Sequence, residues 1–132
     1  MILADTSVWI EFLRGNLGPD VNEDTMFQVL TCGPVIQEVF QVFQGLRPFP
    51  ESRIFEERFL ALPRLCDPLP LRIFTDAATI YRQGRRKGYT IRSQVDCLIA
   101  AIAIDNKVAV WHKDRDFDAI ARYTGLETFE SP

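Results

Sequence analysis

Five acidic side chains are the residues of this sequence best suited to do chemistry together: Asp5, Glu38, Asp96, Asp114 and Asp116. Three of them closely follow short apolar runs, and the other two lie in segments with a helical pattern. Carboxylates that meet in one crevice repel one another, so either a cation compensates their charge or some of them stay protonated. All-oxygen ligands favour Mg²⁺ or Mn²⁺ over zinc or copper. Such an ion activates a water and neutralises charge on a phosphoryl group, so the set fits phosphodiester hydrolysis.

Each acid, taken alone, also has a purely structural interpretation. Asp5 precedes two hydroxyl residues, Thr6 and Ser7, and all three residue types cap helices. Asp96 closes the segment "SQVD", which resembles a capping box with Asp in place of Glu or Gln. Glu38 lies at the edge of an apolar stripe, where an acid is usually solvated or ion-paired, and the two acids of "HKDRDF" open a helix, where caps are common. The functional interpretation therefore depends on the acids lying close together in the fold.

Short apolar runs alternate with helical patterns along the chain. The apolar runs predict strands or short extended pieces over residues 2–4, 27–32, 65–67, 108–111 and 126–129. Helical periodicity, with its start and stop signals, predicts helices over residues 7–14, 33 to about 44, 51–62, 71–87, 93–106 and 116–123. This alternation is typical of a parallel sheet with helices on both faces. Ligands of such sheets bind at the carboxyl ends of the strands, which is where Asp5, Asp114 and Asp116 are expected.

Length and composition predict one globular domain and exclude several classes of protein. The chain has 132 residues, of which 47% are hydrophobic and 25% charged, so it can bury a substantial core. No apolar run approaches the ~20 residues that span a bilayer, and no signal-peptide pattern precedes Asp5, so we expect a cytoplasmic protein without membrane contact. Three widely spaced cysteines fit neither a disulfide framework nor a CxxC zinc site, and a single histidine, His112, nearly excludes a histidine zinc site.

Four segments, in this order, carry a family resemblance: "MILADTSVWIEFL", the glutamate of "PVIQEVFQ", "IRSQVDCLIAAIAIDN" and "VAVWHKDRDFDAIAR". With this ordered set the sequence resembles PIN-domain ribonucleases, and among them the VapC-type toxins of bacterial toxin–antitoxin (VapBC) pairs. The resemblance covers nearly the whole chain and is weakest over residues 49–71. It implies an α/β fold of the three-layer α/β/α PIN type, with a central, mainly parallel sheet and a single PIN domain over residues 1–132.

The resemblance also implies a site and a reaction. The first acid of the family matches Asp5, its glutamate matches Glu38 and its third acid matches Asp96. Its terminal acids correspond to Asp114, Asp116 or both, so that the acids together bind Mg²⁺ or Mn²⁺ and form the catalytic site of an endoribonuclease. The implied reaction is hydrolysis of an RNA phosphodiester by a metal-activated water, which leaves a 5′-phosphate and a 3′-hydroxyl.

Neighbours of the acids refine this expectation. Thr6 or Ser7 matches the hydroxyl that follows the first acid, and its expected role is to orient Asp5 or a metal-bound water. Lys113 stands where many relatives have a small polar residue or Asn, so local ligation is expected to differ. No side chain is an obvious general base, so activation of the water is assigned to the metal.

The net charge of −3 and the pI near 5.1 argue, taken alone, against a nucleic-acid binder. With five acids assigned to the site, however, 13 acids remain against 15 bases. The segment "YRQGRRKGYTIRS" carries five bases and no acid, and it is either a solvated helix end or a rim that contacts phosphates. Its candidate RNA-contact residues are Arg85, Arg86, Lys87, Arg92 and Ser93. We therefore expect RNA binding that weakens as the salt concentration rises.

The resemblance implies three partners: an RNA substrate, with tRNA expected before rRNA, a cognate VapB-like antitoxin, and a second copy of the chain in a homodimer. Two other functions stay open at this point. One is a phosphatase with Asp5 as its nucleophile, although such enzymes usually carry a second acid two residues on, where this chain has Ser7. The other is an antitoxin-type protein-binding module without catalysis, in which the acids are only helix caps.

Overall fold

The computed structural model describes residues 1–43 and 51–130. Along the chain its elements are β1 (Ile2–Ala4), α1 (Thr6–Leu13), α2 (Glu23–Met26), β2 (Thr31–Cys32), α3 (Gly33–Val42), α4 (Glu51–Leu60), β3 (Arg64–Leu65), α5 (Leu71–Arg86), α6 (Gln94–Asn106), β4 (Ala109–His112), α7 (Arg115–Ala121) and β5 (Thr128–Glu130). Among these helices, none combines the length and the apolar character needed to cross a membrane.

Short parallel strands form the centre of the fold. β1 pairs with β4, and β4 pairs with β5 on its other side. β2 pairs with β3, and a parallel bridge between Leu3 and Leu30 joins this pair to β1. The described strands therefore lie in the order β3-β2-β1-β4-β5, and the prediction of an α/β fold with a parallel sheet is confirmed. Because β1 and β4 are parallel neighbours, the residues that follow them meet at the same edge of the sheet.

The burial of α6 fixes the position of its first turn. Residues 99–103 of this helix are all buried, and the helix packs against α3, α5, α7 and β4. A helix that is apolar on nearly every side lies in the interior of a protein, which explains the segment "CLIAAIAI". Asp96 belongs to the first turn of this buried helix, so its carboxyl group is carried into the protein by the packing of the turns that follow.

An aromatic cluster anchors α1 on the other side of the site. The Trp9 ring is fully buried, and its centroid lies 4.8 Å from that of Phe59 and 5.8 Å from that of Phe55, both in edge-on contacts with α4. Each such pair contributes about 0.5–1.5 kcal/mol beyond the burial of its area. The helix that begins directly after Asp5 is therefore held firmly in place.

The predicted strand over residues 27–32 is wrong for its first three residues, because Leu30 forms the parallel bridge to Leu3 and β2 covers Thr31–Cys32. The Asn22 side chain caps the one-turn helix α2. The backbone N–H groups of Phe27 and Gln28 then bond to carbonyls of that turn, so they do not join a ladder. Local capping thus overrides the strand pattern of this segment.

The other element boundaries differ from the predictions by at most two residues. β4 covers Ala109–His112 instead of residues 108–111, since the Val108 N–H bonds to the Ala103 carbonyl and so belongs to the end of α6. Lys107, in the left-handed conformation at φ 56°, ends that helix. The predicted end of the helix over residues 33 to about 44 lies outside the described residues.

A glycine in α5 allows close approach of Tyr123. The Tyr123 hydroxyl donates a hydrogen bond of 2.8 Å to the Ile80 carbonyl, and a Cβ atom on Gly84 would overlap that hydroxyl. Alanine in place of a helical glycine normally stabilises by about 0.5–1 kcal/mol, but overpacking costs about 1–3 kcal/mol. We predict that Gly84→Ala lowers the free energy of unfolding by about 1–2 kcal/mol in a urea titration.

Removal of the hydroxyl provides the matched control for this prediction. In the Tyr123→Phe background the Cβ atom meets a smaller side chain, so the Gly84→Ala change is expected to destabilise less than it does beside tyrosine. Equal effects in the two backgrounds, or a gain in stability in the native one, would contradict the contact.

Candidate metal centre

Asp5 connects the first strand to the first helix at the carboxyl edge of the sheet. Its N–H donates to the Trp111 carbonyl of β4 at 2.9 Å, and its carboxylate caps α1. Only one carboxylate oxygen is used for this, since Oδ2 accepts from the Ser7 N–H at 3.1 Å and from the Ser7 hydroxyl at 2.6 Å. Oδ1 is buried and has no hydrogen-bond partner among the described residues. Asp5 therefore caps the helix through Oδ2, while Oδ1 can act as a ligand atom.

The two hydroxyl residues after Asp5 serve different acids. The Ser7 hydroxyl donates to Asp5 and accepts from the Lys113 N–H at 3.0 Å, so it joins the start of α1 to the loop after β4. The Thr6 hydroxyl instead donates to Glu38 Oε1 of α3 at 2.8 Å. Ser7 thus orients Asp5 while Thr6 orients Glu38, and the sequence expectation did not separate these two roles.

Asp96 occupies the acidic position of a capping box that is only half formed. The Ser93 hydroxyl accepts from the Asp96 N–H at 3.3 Å, as in such a box. The reciprocal bond is made elsewhere, because the Ser93 N–H donates to Asp116 Oδ2 at 3.3 Å. The Asp96 carboxyl group is therefore not used as a cap. It is buried, and its Oδ2 has no hydrogen-bond partner among the described residues.

Asp114 and Asp116 reach the same place from the start of α7. Asp114 caps this helix by accepting the Asp116 N–H at 2.9 Å, while the buried Asp116 side chain accepts from the backbone N–H of Arg92 at 3.1 Å. Carboxylate oxygens of Asp96, Asp114 and Asp116 lie within 4.8 Å of one another. Among the described residues, Asp5 and Glu38 lie outside this group of three. The structure thus brings three of the five acids into ligand range and keeps the other two beside them.

Burial and the repulsion between carboxylates raise the pKa values of two of the five site acids, Asp96 and Asp5. Burial, together with the charges of four neighbouring carboxylates, Asp5 foremost, raises the pKa of Asp96 to about 9. Burial also raises the pKa of Asp5, although its hydrogen bonds with Ser7 act in the opposite direction. Two buried oxygens without donors, among carboxylates that repel one another, fit a divalent cation.

Arg92 is the charged neighbour that partly compensates the cluster. Its guanidinium lies 3.7 Å from Asp114 Oδ1 and 3.6 Å from Asp116 Oδ1, at the protein surface. Of the candidate RNA-contact residues, Arg92 and Ser93 are the ones with contacts to these acids, whereas Arg85, Arg86 and Lys87 lie exposed at the end of α5. The predicted basic rim is therefore continuous in sequence with the site but only its last residues touch it.

Three functional candidates were not identified from the sequence patterns. His112 is buried beside the site, and its Nδ1 accepts the Asp114 N–H at 3.2 Å, which orients the loop after β4. Its Nε2 lies 3.3 Å from Asp118 Oδ1 without hydrogen-bond geometry. Arg115 and Arg122 lie at the start and the C-cap of α7 and line the same pocket as Arg92. In the sequence they belong to the mixed-charge segment "RDFDAIAR", which does not read as a basic patch.

Comparison with known proteins identifies the family. The sequence model described as "PIN domain" matches residues 2–123. The chain belongs to the PIN-domain family. This PIN domain is 35% identical to VapC ribonuclease Mb1587 of Mycobacterium bovis and to ribonuclease VapC11 of Mycobacterium tuberculosis, over 96% of its own length and 96% of theirs. The VapC-type resemblance inferred from the ordered segments is confirmed.

Solved structures share the same fold. The PIN domain superposes on a chain of the crystal structure of FitAcB from Neisseria gonorrhoeae with a TM-score of 0.67 and 21% identity, covering 98% of this chain and 96% of the other. FitAB bound to an IR36 DNA fragment gives the same score and identity, with 98% and 94% covered. At this level of identity the likeness establishes the fold.

Proposed function

We propose that this PIN domain is a divalent-metal-dependent endoribonuclease and the toxin of a type II toxin–antitoxin pair. The observation that carries the proposal is a pair of buried carboxylate oxygens, on Asp5 and Asp96, that have no hydrogen-bond partner in the described part of the chain and lie beside Asp114 and Asp116. The names of the relatives, VapC ribonucleases, supply RNA as the substrate class. Buried polar atoms normally have hydrogen-bond partners, so acids that served only as helix caps would not explain buried carboxyl oxygens without donors.

The five acids are proposed to hold Mg²⁺ or Mn²⁺, with Asp96, Asp114 and Asp116 as the innermost group. When bound there, the ion supplies charge neutralisation at the phosphoryl group and an acidified water, which is the chemistry of phosphodiester hydrolysis. The donor set contains only carboxylates and suits these ions better than zinc.

The remaining residues of the site are proposed to position the acids. Ser7 holds Asp5, Thr6 holds Glu38, and the backbone N–H groups of Arg92 and Ser93 hold Asp116, so most of the cluster is oriented before any ligand binds. Such positioning partners typically contribute a factor of about 10–100 to metal affinity or activity.

No imidazole replaces the acids as a general base. His112 is almost fully buried, and its Nδ1 is occupied by a backbone N–H. Acid–base work in the site therefore falls to the carboxyl groups and to the solvent that reaches them. The phosphatase alternative is less well supported, because Ser7 stands at the position of the second acid and its hydroxyl is bonded to Asp5.

The substrate and partners are proposed from the same family relation. The RNA is a tRNA or an rRNA, contacted by the basic end of α5 and by Arg92 and Ser93. A VapB-like antitoxin is the proposed inhibitor, and the active form is proposed to be a homodimer. Binding of RNA is expected to weaken as the salt concentration rises, because phosphate contacts release counterions.

Cleavage assays with purified protein test the proposal. Total tRNA and rRNA are incubated with the chain in Mg²⁺, in Mn²⁺ and in excess EDTA, and the product ends are mapped. We expect cleavage only with the divalent ions and products that carry 5′-phosphates. Cleavage that persists in EDTA, or an absence of cleavage with either ion, would contradict the proposal, and a phosphate trapped on Asp5 would favour the phosphatase.

A further inference from the structure

A pocket of about 480 Å³ opens beside the acidic cluster, between the segment that follows α5 and the outer face of α7. Three arginines line it, Arg92, Arg115 and Arg122, together with Asp116 and Asp118. Asp116 belongs both to this pocket and to the acidic cluster, so a ligand in the pocket lies directly beside the candidate metal centre. The pocket is distinct from the basic end of α5.

Two of these arginines have unused charge. Arg115 and Arg122 are exposed, and their guanidinium groups form no hydrogen bond or ion pair with any residue that the structure describes. They lie seven residues apart on α7 and its C-cap, which places them on the same side of the helix about 10 Å apart along its axis. Two unpaired guanidinium groups at this spacing are suited to successive anionic groups of an extended ligand.

The acids of the pocket do not cancel this charge. Asp116 accepts hydrogen bonds from the backbone N–H groups of Arg92 and Ser93, and its Oδ1 faces the Arg92 guanidinium. Asp118 lies 3.3 Å from His112 Nε2. Of the two acids that line the pocket, Asp118 alone remains to compensate the charges of Arg115 and Arg122. The pocket lining therefore carries an excess of positive charge, although the net charge of the chain is −3.

Aromatic surface completes the pocket. Tyr89 lines it, and its ring stacks on that of Tyr123 with centroids 5.5 Å apart and an interplanar angle of 20°. Positive charge that follows a backbone, combined with aromatic side chains, is the usual composition of a single-stranded nucleic-acid site. A small anion would not need the aromatic wall or the 10 Å spacing of the arginines.

We propose that this α7 pocket binds the sugar–phosphate backbone of the RNA next to the bond that is cut, with Arg115 and Arg122 each contacting a phosphate. The inference rests on the proposed ribonuclease function and specifies where the substrate strand lies. Arg92 lines the pocket and also contacts Asp114 and Asp116, so in this proposal the strand passes from Arg115 and Arg122 to the acids across this side chain.

RNA-binding titrations in the cleavage-deficient Asp96→Asn background test the assignment. Arg115→Gln/Arg122→Gln is compared with its parent, using a labelled 20-nucleotide single-stranded RNA and bulk tRNA in Mg²⁺ at several salt concentrations. Loss of two phosphate contacts is expected to reduce the slope of log affinity against log salt by about 1.4 for the single strand. Between 0.1 and 1 M salt this difference corresponds to about a 25-fold change in affinity.

Arg72→Gln/Lys107→Gln is the matched control. It also removes two positive charges, but at the C-terminal end of α6, whereas Asp96 lies in the first turn of that helix. The control is expected to keep the parental slope, and thermal melting verifies that both double variants are folded. In the otherwise native chain, Arg115→Gln/Arg122→Gln is expected to raise KM for RNA about tenfold or more with little change in kcat. A parental slope and KM in the pocket variant would overturn the assignment.

The possible failures are distinguishable. If the native chain cleaves RNA with Mg²⁺ but the pocket variant binds like its parent, only the path of the strand is wrong. If the native chain neither binds nor cleaves RNA, the ribonuclease proposal fails and the pocket assignment fails with it. A variant that keeps RNA binding but no longer binds the antitoxin would place a protein in the pocket and would also overturn the assignment.

Discussion

Asp96→Asn is expected to reduce metal-dependent RNA cleavage by at least about 10²–10³-fold while the protein stays folded. Asparagine has the shape of a protonated aspartate, and burial among other acids raises the pKa of Asp96 to about 9. Near pH 7 and without metal, the substitution therefore replaces a mostly neutral carboxyl group by a neutral amide. Asparagine cannot ionise, so the variant lacks the carboxylate that binds a cation. Its activity is therefore expected to decrease while its metal-free stability near pH 7 does not.

Asp76→Asn is the control for this prediction. Asp76 is an exposed acid on α5, outside the acidic cluster, so its replacement removes one carboxylate from the surface. We expect its cleavage rate to stay within about twofold of the native value, as is usual for surface substitutions. Native-like cleavage by a folded Asp96→Asn protein would remove Asp96 from the site.

The stability of the metal-free protein is expected to fall as the pH rises from about 5 to 8.5. The pKa of Asp96 is raised from 3.8 to about 9 in the folded state, whereas an unfolded chain ionises near the ordinary value. Between these values the folded protein keeps a proton that the unfolded chain has released, so a rise in pH favours unfolding. Asp5, whose pKa is also raised by burial, acts in the same direction.

Divalent ions are expected to reverse this trend. A cation binds the ionised carboxylates of the folded state and stabilises that state by mass action, more strongly at pH 8.5 than at pH 6. Urea unfolding at pH 5 to 8.5, with EDTA or with Mn²⁺, measures both effects. The window stops below pH 9, because burial raises the pKa of Cys32 to about 12 and that of Cys97 to about 11, and these thiols then contribute as well.

Asp96→Asn is the control for the pH profile. This variant lacks the Asp96 carboxyl group, whose pKa is raised to about 9, so its metal-free stability is expected to vary less with pH and to respond less to Mn²⁺. A native profile that rises between pH 5 and 8.5 in EDTA, or an equal decline in the variant, would contradict the origin assigned to it.

The sequence predicted the fold and the neighbourhood of the acids because both depend on local patterns. Alternation of apolar runs and helical periodicity is enough to indicate a parallel sheet, and residues that follow adjacent strands must share an edge. The three acids that follow strands, Asp5, Asp114 and Asp116, are placed by this rule alone. Their assignment as metal ligands stays a prediction.

Tertiary hydrogen bonds explain what the patterns did not predict. The segment "SQVD" predicts a capping box, but the Ser93 N–H bonds to Asp116, which lies 23 residues away, so the Asp96 carboxyl group is not used as a cap. Arg115 and Arg122 are seven residues apart in the sequence, and only the helix places them on the same side. Neither arrangement is visible in a segment read by itself.

A calorimetric titration of the EDTA-stripped chain with Mn²⁺, repeated in buffers of different ionisation enthalpy, tests the acidic site most directly. We predict saturable binding at pH 7 to 8 with release of about one proton per ion, because Asp96 must ionise to bind. The Asp96→Asn protein is predicted to bind more weakly and to release fewer protons. An absence of saturable binding, or identical binding and proton release in the two proteins, would contradict a metal centre at these acids.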